Sequence, residues 1–266
     1  MEKIKVAVSG AYGRMGREVC NAILDEEDLE LVAAFDLCGE HEDIGEMLGK
    51  KPLGISIDRL TRSSLEKAQP GVIVDFTTPM AVINNIELAL QCGVRPVVGT
   101  TGITQVDLSR IEQQVESSGL SAIIAPNFAL GAVLMMKFAS IAARYFPQAE
   151  IIELHHDQKI DAPSGTALKT ANIIIDSREE DPPEKEELIK LTGARGAVQD
   201  KIHIHSVRLS GLVAHQEVIF GGVGQTLTIR HDSIDRKSFM PGVIFAVKKA
   251  VTMKGLVYGL ENLLEW

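Results

Sequence analysis

The sequence predicts an α/β fold whose N-terminal part is a doubly wound parallel sheet. Three observations support this prediction: short aliphatic runs recur through the first 126 residues, stretches with helical spacing separate them, and a glycine-rich loop follows the first run. Near-continuous aliphatic runs are typical of strands that are buried on both faces of a parallel sheet. Alternating strands and helices then predict right-handed crossovers on both sides of that sheet.

The elements of this first part are predicted from the spacing of apolar residues. Val19 and Ile23 recur at helical spacing, as do Val82, Ile86 and Leu90. The predicted strands cover residues 4–8, 31–35, 72–76, 96–98 and 122–124.

The pattern changes at Asn127. An apolar helix, a strand and a second helix are predicted over 130–145, 150–154 and 166–176, and an apolar helix over 241–253. Period-two alternation over 202–205 and 225–231 predicts antiparallel strands with one wet face. A bulge is predicted near Ser206, because the parity of the apolar residues changes there.

Composition excludes several classes of function. The 266 residues are 45% hydrophobic and 24% charged, as in an ordinary globular protein. The net charge of −9 disfavours nucleic acid as a partner. Three scattered cysteines favour reduced thiols, and no signal peptide or run of about 18 apolar residues is found. We therefore expect a soluble, cytoplasmic protein with no membrane partner.

A glycine loop lies between the first strand and the first helix. Gly10, Gly13 and Gly16 allow a tight turn and close backbone approach to a diphosphate at a helix N-terminus. The spacing is GxxGxxG, which differs from the usual GxGxxG. Asp36 ends the second strand, where an acid would bind a ribose diol. The pattern predicts dinucleotide binding; a glycine turn needed only for packing is the alternative.

The residues beside Asp36 bear on cofactor choice. A 2′-phosphate favours a neighbouring cation, and Leu37 provides none, although Arg14 is within possible reach. The sequence predicts that NADH is preferred and NADPH is tolerated.

Three further loops follow predicted strands of the first part. Ligands of open α/β sheets bind outside the carboxyl ends of the strands, so these loops are candidates for the nicotinamide pocket. Each is equally compatible with a turn or a helix cap. The loops cover residues 75–79, 99–102 and 125–128.

A second chemical signal follows the strand predicted over 150–154. His155 and His156 can exchange protons near neutral pH, and Lys159 adds a positive charge. The backbone amides of residues 164–166 open a helix, where an anion is stabilised. Together these groups predict a pocket for a small anionic substrate that is protonated as it reacts.

Other interpretations of these residues stay open. Ser164 is also suited to a plain N-cap, and His156 to a structural role. A zinc site would need a remote histidine, but HxxxH and HxxEH spacings are absent, and Ser164 lacks the GxSxG of a hydrolase. No metal is predicted. Four further histidines are predicted to lie on polar strand faces: His203, His205, His215 and His231.

Several motifs together resemble one enzyme family. VAVSGAYGRMG and ELHHDQKIDAPSGTA closely resemble the 4-hydroxy-tetrahydrodipicolinate (dihydrodipicolinate) reductases of lysine and diaminopimelate biosynthesis. The likeness continues through DFTTP, VVGTTG, APNFALG and IHSVRLSGLVAHQEVIFG, and so covers nearly the whole chain. The HHxxKxDAPSGTA block is highly specific, whereas the glycine loop alone is not.

The resemblance implies an architecture and a reaction. A Rossmann-type dinucleotide-binding domain, residues 1–126, would be completed by 236–266. An inserted α+β domain with an open mixed β-sheet, residues 127–235, would bind substrate and build a homotetramer. The reaction would be NAD(P)H-dependent reduction of the cyclic dicarboxylate 4-hydroxy-tetrahydrodipicolinate to tetrahydrodipicolinate, with loss of water.

The resemblance also implies roles for individual residues. His155 would be the acid–base residue and Lys159 its partner in proton donation. The substrate carboxylates would be held by His156, Gly165 and Thr166, with Ser164 assisting. The cofactor would be lined by Gly10, Ala11, Tyr12, Gly13, Arg14, Met15, Asp36, Gly99, Thr100, Thr101, Ala125, Pro126, Asn127 and Phe128.

The chain departs from some relatives at two points. No arginine follows Asp36, which leaves cofactor preference open, and Gln158 replaces a histidine found in some members. Two rival functions remain: a non-catalytic nucleotide sensor, and reduction of another small dicarboxylate, including an aspartate dehydrogenase-like reaction. The sensor leaves the cluster around His155 and Lys159 without a purpose.

Overall fold

The computed structural model describes residues 2–183 and 186–265. The chain divides into two compact units. Unit 1 comprises Met1–Ala129 together with Phe239–Trp266, and unit 2 comprises Leu130–Ser238. The second unit is therefore an insertion between two segments of the first. The sequence predicts an inserted domain over residues 127–235, and unit 2 covers Leu130–Ser238.

The elements follow one another along the chain in three groups. The first group is β1 (Ile4–Ser9), α1 (Arg14–Asp25), β2 (Leu29–Phe35), α2 (Ile44–Met47), β3 (Ile57–Asp58), α3 (Arg62–Ala68), β4 (Val72–Asp75), α4 (Pro79–Gln91), β5 (Arg95–Val98), α5 (Gln105–Ser118) and β6 (Ser121–Ile124). Unit 2 contains α6 (Leu130–Ala143), β7 (Gln148–His155), α7 (Gly165–Ser177), β8 (Ala197–Gln199), β9 (Ile202–Arg208), β10 (Ala214–Gly222) and β11 (Gln225–Ser233). The chain returns to unit 1 with α8 (Met240–Ala250) and β12 (Gly255–Tyr258).

Unit 1 is built on a parallel sheet. The strand order in the described residues is β12-β6-β5-β4-β1-β2-β3, with every pairing parallel. It contains the 3-2-1-4-5-6 order of a doubly wound nucleotide-binding fold, so the predicted fold class is confirmed. The strands β3 and β12 were not predicted, because β3 has only two residues and β12 lacks a fully buried aliphatic run.

The core of unit 1 explains why its strands are so apolar. All four residues of β4 and of β6 are buried, since helices cover both faces of the sheet. On one side, Val82 and Ile86 of α4 pack with Ile111 and Val115 of α5. The strands β1 and β4 are neighbours in the sheet, and the strand order reverses between them. A ligand crevice is expected beyond their carboxyl ends.

Unit 2 has a mixed sheet in the order β11-β10-β7-β9-β8. The strands β7 and β9 run parallel, and the other pairs are antiparallel. One face carries the buried residues Ile151, Ile204, Val218 and Phe220, and α6 and α7 pack against the sheet. The predicted open mixed sheet is confirmed.

The antiparallel prediction for β9 is right for one of its two neighbours, and the predicted bulge is wrong. This strand pairs antiparallel with β8 and parallel with β7, since the chain reverses direction at the turn of Asp200 and Lys201 between β8 and β9. The register between β7 and β9 is continuous through Ser206, so no bulge exists there. Val207 points away from the buried face, and the exposed Leu209 lies beyond the strand. In the described ranges, no helix is both long and apolar enough to cross a membrane.

Candidate active site

The glycine loop of unit 1 forms a tight turn between β1 and α1. Gly10 has φ +81°, and a Cβ there would collide with the carbonyl of Phe76. Gly13 is the N-cap of α1 and provides no side-chain cap, which leaves the first-turn amides available to an anion. Gly16 approaches Gly10 so closely that no side chain fits between the helix and the turn. The three glycines therefore have the roles that a diphosphate-binding loop requires.

Asp36 lies at the end of β2 and contacts this loop. Its Oδ2 accepts the backbone N–H of Tyr12 at 2.9 Å, and its Oδ1 accepts that of Cys38 at 3.0 Å. A carboxylate offers about four acceptor positions, so both oxygens can still accept from a ribose diol. The Arg17 guanidinium stacks on the Tyr12 ring, 4.8 Å from its centroid, and donates to the Tyr12 carbonyl.

A cavity of about 610 Å³ opens beside these groups. Of the predicted cofactor residues, Gly10, Tyr12, Gly13 and Asp36 line it. Ala11 is buried beneath the turn, and Arg14 and Met15 lie in the first turn of α1. Phe76, Thr77 and Thr78, from the candidate loop 75–79, line the cavity as well. The walls also include residues that the sequence did not assign to the cofactor: Arg59, Leu60, Thr61 and Asn85.

The predicted residues after β5 and β6 do not line this cavity. Thr100 is buried and donates its hydroxyl to Asp75 at 2.8 Å. Asp75 also accepts from Thr77 and Asn85, so one carboxylate joins the loops after β4 and β5. A Cβ on Gly99 would collide with the Phe76 ring.

The remaining loop residues have mixed exposure. The Phe128 side chain is buried, with its ring centroid 5.9 Å from that of Phe76. The Asn127 side chain accepts the N–H of Ala129, while Thr101 and Pro126 are exposed and Ala125 is buried.

In unit 2, the strand β7 ends at His155, whose side chain is only 14% exposed. Its Nδ1 lies 2.5 Å from Oε2 of Glu153, which is two residues earlier on the same face of the strand. Burial lowers the pKa of His155, and this exceeds the opposing effect of the Glu153 carboxylate. The positive charges of Lys159 and Arg208 lower the pKa further.

Glu153 is fully buried and connects several parts of the site. The guanidinium of Arg208 on β9 donates to both of its oxygens at 2.8 Å. The backbone N–H of Ser164 donates to Oε1 at 3.2 Å. One carboxylate thus contacts the candidate acid His155, the start of α7 and a neighbouring strand.

The start of α7 has the geometry of an anion site. Ser164 is the N-cap, and its hydroxyl accepts the N–H of Ala167 at 3.1 Å. The predicted N-cap role of Ser164 is therefore present, and the first-turn amides of Gly165 and Thr166 are left for an external acceptor. Gly165 is exposed and Thr166 half-buried.

Lys159 and His156 lie in the turn between β7 and α7. The Lys159 ammonium contacts both carboxylate oxygens of Asp161, at 2.7 and 2.8 Å. This hydrogen bond lowers the pKa of Asp161. The carbonyl of His156 accepts the N–H of Lys159, and the His156 side chain is exposed.

The four histidines on β9, β10 and β11 divide between the two faces of the sheet. His203, His205 and His215 lie on the face opposite Glu153, where they contact the Arg195 carbonyl, Glu150 and Asp232 respectively. The prediction for His231 is wrong. It faces α6, where Gly131 leaves room for its ring, and burial lowers its pKa.

Family models match both units. The model for the N-terminus of dihydrodipicolinate reductase matches residues 4–128, and the model for its C-terminus matches residues 131–264. The chain belongs to the dihydrodipicolinate reductase family.

Individual relatives of the dihydrodipicolinate reductase family agree along the whole chain. The 4-hydroxy-tetrahydrodipicolinate reductase of Desulfitobacterium hafniense is 55% identical, covering 100% of both chains. That of Syntrophomonas wolfei is 53% identical, covering 99% of both. A dipicolinate-bound dihydrodipicolinate reductase structure from Paenisporosarcina sp. TG-14 is similar with TM-score 0.87 and 50% identity, covering 98% of this chain and 100% of that one.

The family defines the type of reaction. Its enzymes reduce 4-hydroxy-tetrahydrodipicolinate with a nicotinamide cofactor in lysine and diaminopimelate biosynthesis, and this chain is an oxidoreductase of that family. An amine dehydrogenase from Mycobacterium smegmatis, with TM-score 0.73 but 12% identity, shares the fold alone.

Sequence reasoning missed Glu153 and Arg208 as site residues. The parity of β7 contained a signal for Glu153, since it falls on the same face as the buried Ile151. A glutamate at a core position needs a counter-charge. Arg208 is 55 residues further along the chain, and only the pairing of β7 with β9 brings the two together.

Proposed function

We propose that this chain reduces 4-hydroxy-tetrahydrodipicolinate to tetrahydrodipicolinate with His155 as the proton donor. The observation that carries this proposal is the position of His155, a largely buried imidazole that shares one carboxylate with the N-cap of α7. Reduction with loss of water consumes a proton as well as a hydride. The site therefore needs an acid close to an anchor for the substrate carboxylates. His155 would be the acid, and the start of α7 would be the anchor.

The nicotinamide dinucleotide would bind in unit 1. The glycine turn from Gly10 to Gly13, the uncapped start of α1 and Asp36 at the cavity wall fit its diphosphate and ribose. When bound, the cofactor supplies the hydride. We assign the remaining predicted contacts to the loops after β5 and β6, residues 99–101 and 125–128.

The substrate carboxylates would bind at the start of α7. The amides of Gly165 and Thr166 point along the helix axis and carry its partial positive charge. His156 and the Ser164 hydroxyl, which still has its own proton to donate, would complete this anchor. Fixing the ring of the substrate in this way brings its reacting bonds to the acid.

Proton transfer would come from His155 and Lys159. Because burial lowers the pKa of His155, its protonated form gives up a proton readily. Lys159 carries positive charge on the same side of the site, where it would neutralise negative charge that develops on the substrate. Asp161 holds the Lys159 ammonium in place.

For the cofactor, we propose that NADH is preferred and NADPH is tolerated. Asp36 favours a free 2′-hydroxyl, and Leu37 adds no cation. Arg59 lines the same cavity and pairs with Glu40 at 3.2 Å, so a 2′-phosphate could recruit it. A ratio of kcat/KM for NADPH over NADH well above one would contradict the preference. Arg59→Gln should lower that ratio, whereas the more remote Arg62→Gln should not.

We further propose a cytoplasmic homotetramer assembled through the open sheet of unit 2. The edge strands β8 and β11 leave backbone groups unpaired, and the described cysteines are free thiols. Light scattering on the purified protein would report a mass about four times that of the chain. A monomer at micromolar concentration would contradict the assembly and leave the reaction untouched.

The reaction is tested by coupling the protein to dihydrodipicolinate synthase. Pyruvate and aspartate semialdehyde are supplied, and loss of NADH or NADPH is followed at 340 nm. We expect oxidation that requires both proteins. No oxidation with either cofactor, from protein that still binds NADH, would refute the proposed substrate. Turnover of oxaloacetate with ammonia would then favour the aspartate dehydrogenase-like alternative, and no turnover with any imine or carbonyl acid would favour a sensor.

A further inference from the structure

Glu153 is a buried acid to which the proposed reaction assigns no step. Its carboxylate is buried in the interior of unit 2. The carboxylate contacts His155, the backbone N–H of Ser164 and the guanidinium of Arg208. A buried carboxylate without a counter-charge is strongly disfavoured, so the contacts of Glu153 have to explain its presence.

Arg208 balances this charge. The two nitrogens of its guanidinium donate to the two oxygens of Glu153, a bidentate geometry that fixes the plane of the carboxylate. Burial raises the pKa of Glu153, but hydrogen bonds from Arg208, Ser206 and His155 outweigh it and hold the pKa below its usual value. The carboxylate is therefore ionised and fixed in orientation at neutral pH.

The two oxygens of Glu153 serve different partners. Oε2 faces Nδ1 of His155, and Oε1 accepts the backbone N–H of Ser164. Arg208 also donates to the carbonyl of Asp161 at 2.7 Å, which anchors the turn that carries Lys159. The Glu153–Arg208 pair thus contacts the acid, the N-cap of α7 and the lysine turn at once.

We propose that Glu153 is a positioning residue that orients His155 for proton donation and aligns it with the carboxylate-binding start of α7, with Arg208 as its fixed counter-ion. This inference rests on the proposed function. In this role Glu153 acts through His155 and Ser164 and needs no contact of its own with substrate or cofactor.

The contact specifies which nitrogen of His155 reacts. An ionised carboxylate accepts hydrogen bonds only, so Nδ1 must carry the proton that lies between the two side chains. Nε2 is then the nitrogen that donates to the substrate, and the ring keeps its orientation after the proton has left. Without Glu153, the neutral ring could carry its proton on either nitrogen, and nothing would fix its orientation.

The contact with Glu153 raises the pKa of His155, against burial and the nearby positive charges. Lys159 and Arg208 face His155 and lower its pKa, as burial does, while Glu153 raises it. Removing the negative charge should lower the pKa further. Because the acid must be protonated, activity falls as pH rises through this pKa, and the fall should move to lower pH in a Glu153→Gln enzyme.

The test compares Glu153→Gln with Glu150→Gln in the full-length enzyme. Glu150 is a matched control, because it lies on β7 and also binds an arginine and a histidine, Arg195 and His205, but on the opposite face. We expect Glu153→Gln to lower kcat about ten-fold or more and to shift the alkaline fall of kcat/KM to lower pH. Its NADH Kd should stay unchanged, Glu153→Asp should restore the pH profile toward wild type, and Glu150→Gln should change neither quantity.

A second measurement does not depend on activity or on a variant that folds. Nitrogen-15 NMR of His155 in the wild-type protein, above its pKa, reports which ring nitrogen carries the proton. A proton on Nδ1 is expected, and a proton on Nε2 would overturn the proposal. A Glu153→Gln enzyme with the wild-type kcat and pH profile would overturn it as well. If the wild type shows no turnover, the proposed reaction fails, and the NMR result still decides the role of Glu153.

Discussion

The strand β7 carries two glutamates whose partners are chemically alike. Glu150 pairs with Arg195 at 2.6 Å and with His205 at 2.8 Å, while Glu153 pairs with Arg208 and His155. The Glu150 side chain is 36% exposed and that of Glu153 is 0% exposed. Hydrogen bonds from the arginine and histidine lower the pKa of each carboxyl against the opposing effect of burial.

The difference between the two clusters comes from the side of the strand. Successive side chains point to opposite faces, so residues three apart lie on different sides of the sheet. Glu150 faces away from α6 and α7, where water screens its ion pairs. Glu153 faces the helices and also accepts the N–H of Ser164. The same three residue types therefore form a surface network in one place and hold a candidate acid in the other.

The largest expected difference is in kcat, between substitutions of His155 and of His205. His155→Gln should lower kcat by about 10²–10⁴-fold, because it removes the proposed proton donor. His205→Gln should leave kcat within about two-fold, since its ring binds Glu150 and stacks with His203 on the face opposite Glu153. The coupled assay measures both. Near-native kcat in His155→Gln would remove the acid role from this residue.

The second difference concerns stability. Glu153→Ala leaves the Arg208 charge without its partner and should cost about 3–5 kcal/mol in free energy of unfolding. Glu150→Ala breaks a half-exposed pair and should cost about 1 kcal/mol or less. Urea unfolding of both variants checks this. Equal losses of free energy of unfolding would mean that burial does not make the Glu153 pair more important for stability than the Glu150 pair.

The third difference concerns the two lysines that pair with aspartates. Lys159→Ala should lower kcat about ten-fold or more with little change in NADH Kd, because it removes a positive charge beside the proposed acid, His155. Lys201 forms a comparable pair with Asp181 at 3.2 Å, and Lys201→Ala should have no effect on kcat. Steady-state kinetics and NADH titration test the pair of variants. A loss that appears only in NADH binding would contradict the assigned role of Lys159.

The smallest expected effect is the response to acid and salt. Each glutamate has its pKa lowered in the folded state, so its stabilisation is complete above the ordinary glutamate pKa of about 4.3 and is lost as pH falls through the folded value. Salt should weaken the Glu150 contribution by less than about 1 kcal/mol and leave that of Glu153 nearly unchanged. Urea unfolding of the two Gln variants, from pH 7 to pH 3 with and without 1 M NaCl, measures this. A stronger salt response at Glu153 would contradict its burial.

Much of the fold was predictable because its signals are local. The strands of unit 1 are buried on both faces, so each reads as an aliphatic run, and the turn at Gly10 needs a positive φ that glycine adopts readily. The helix α7 was predicted from Ser164 and the apolar spacing that follows. The short strands β3 and β12 lack such signals, and the direction of β9 depends on a partner strand that the local pattern cannot specify.

The sequence by itself determined the fold class, the family and the segment in which chemistry is expected, because the motifs around Gly10 and His155 are contiguous. Only the tertiary structure decided how that segment is supported. Glu153 and Arg208 are separated by 55 residues and meet through strand pairing, and Ser164 joins them through a backbone N–H that carries no sequence signature. The physical reason is that a buried carboxylate selects its partners by proximity in space, whereas sequence patterns record only neighbours along the chain.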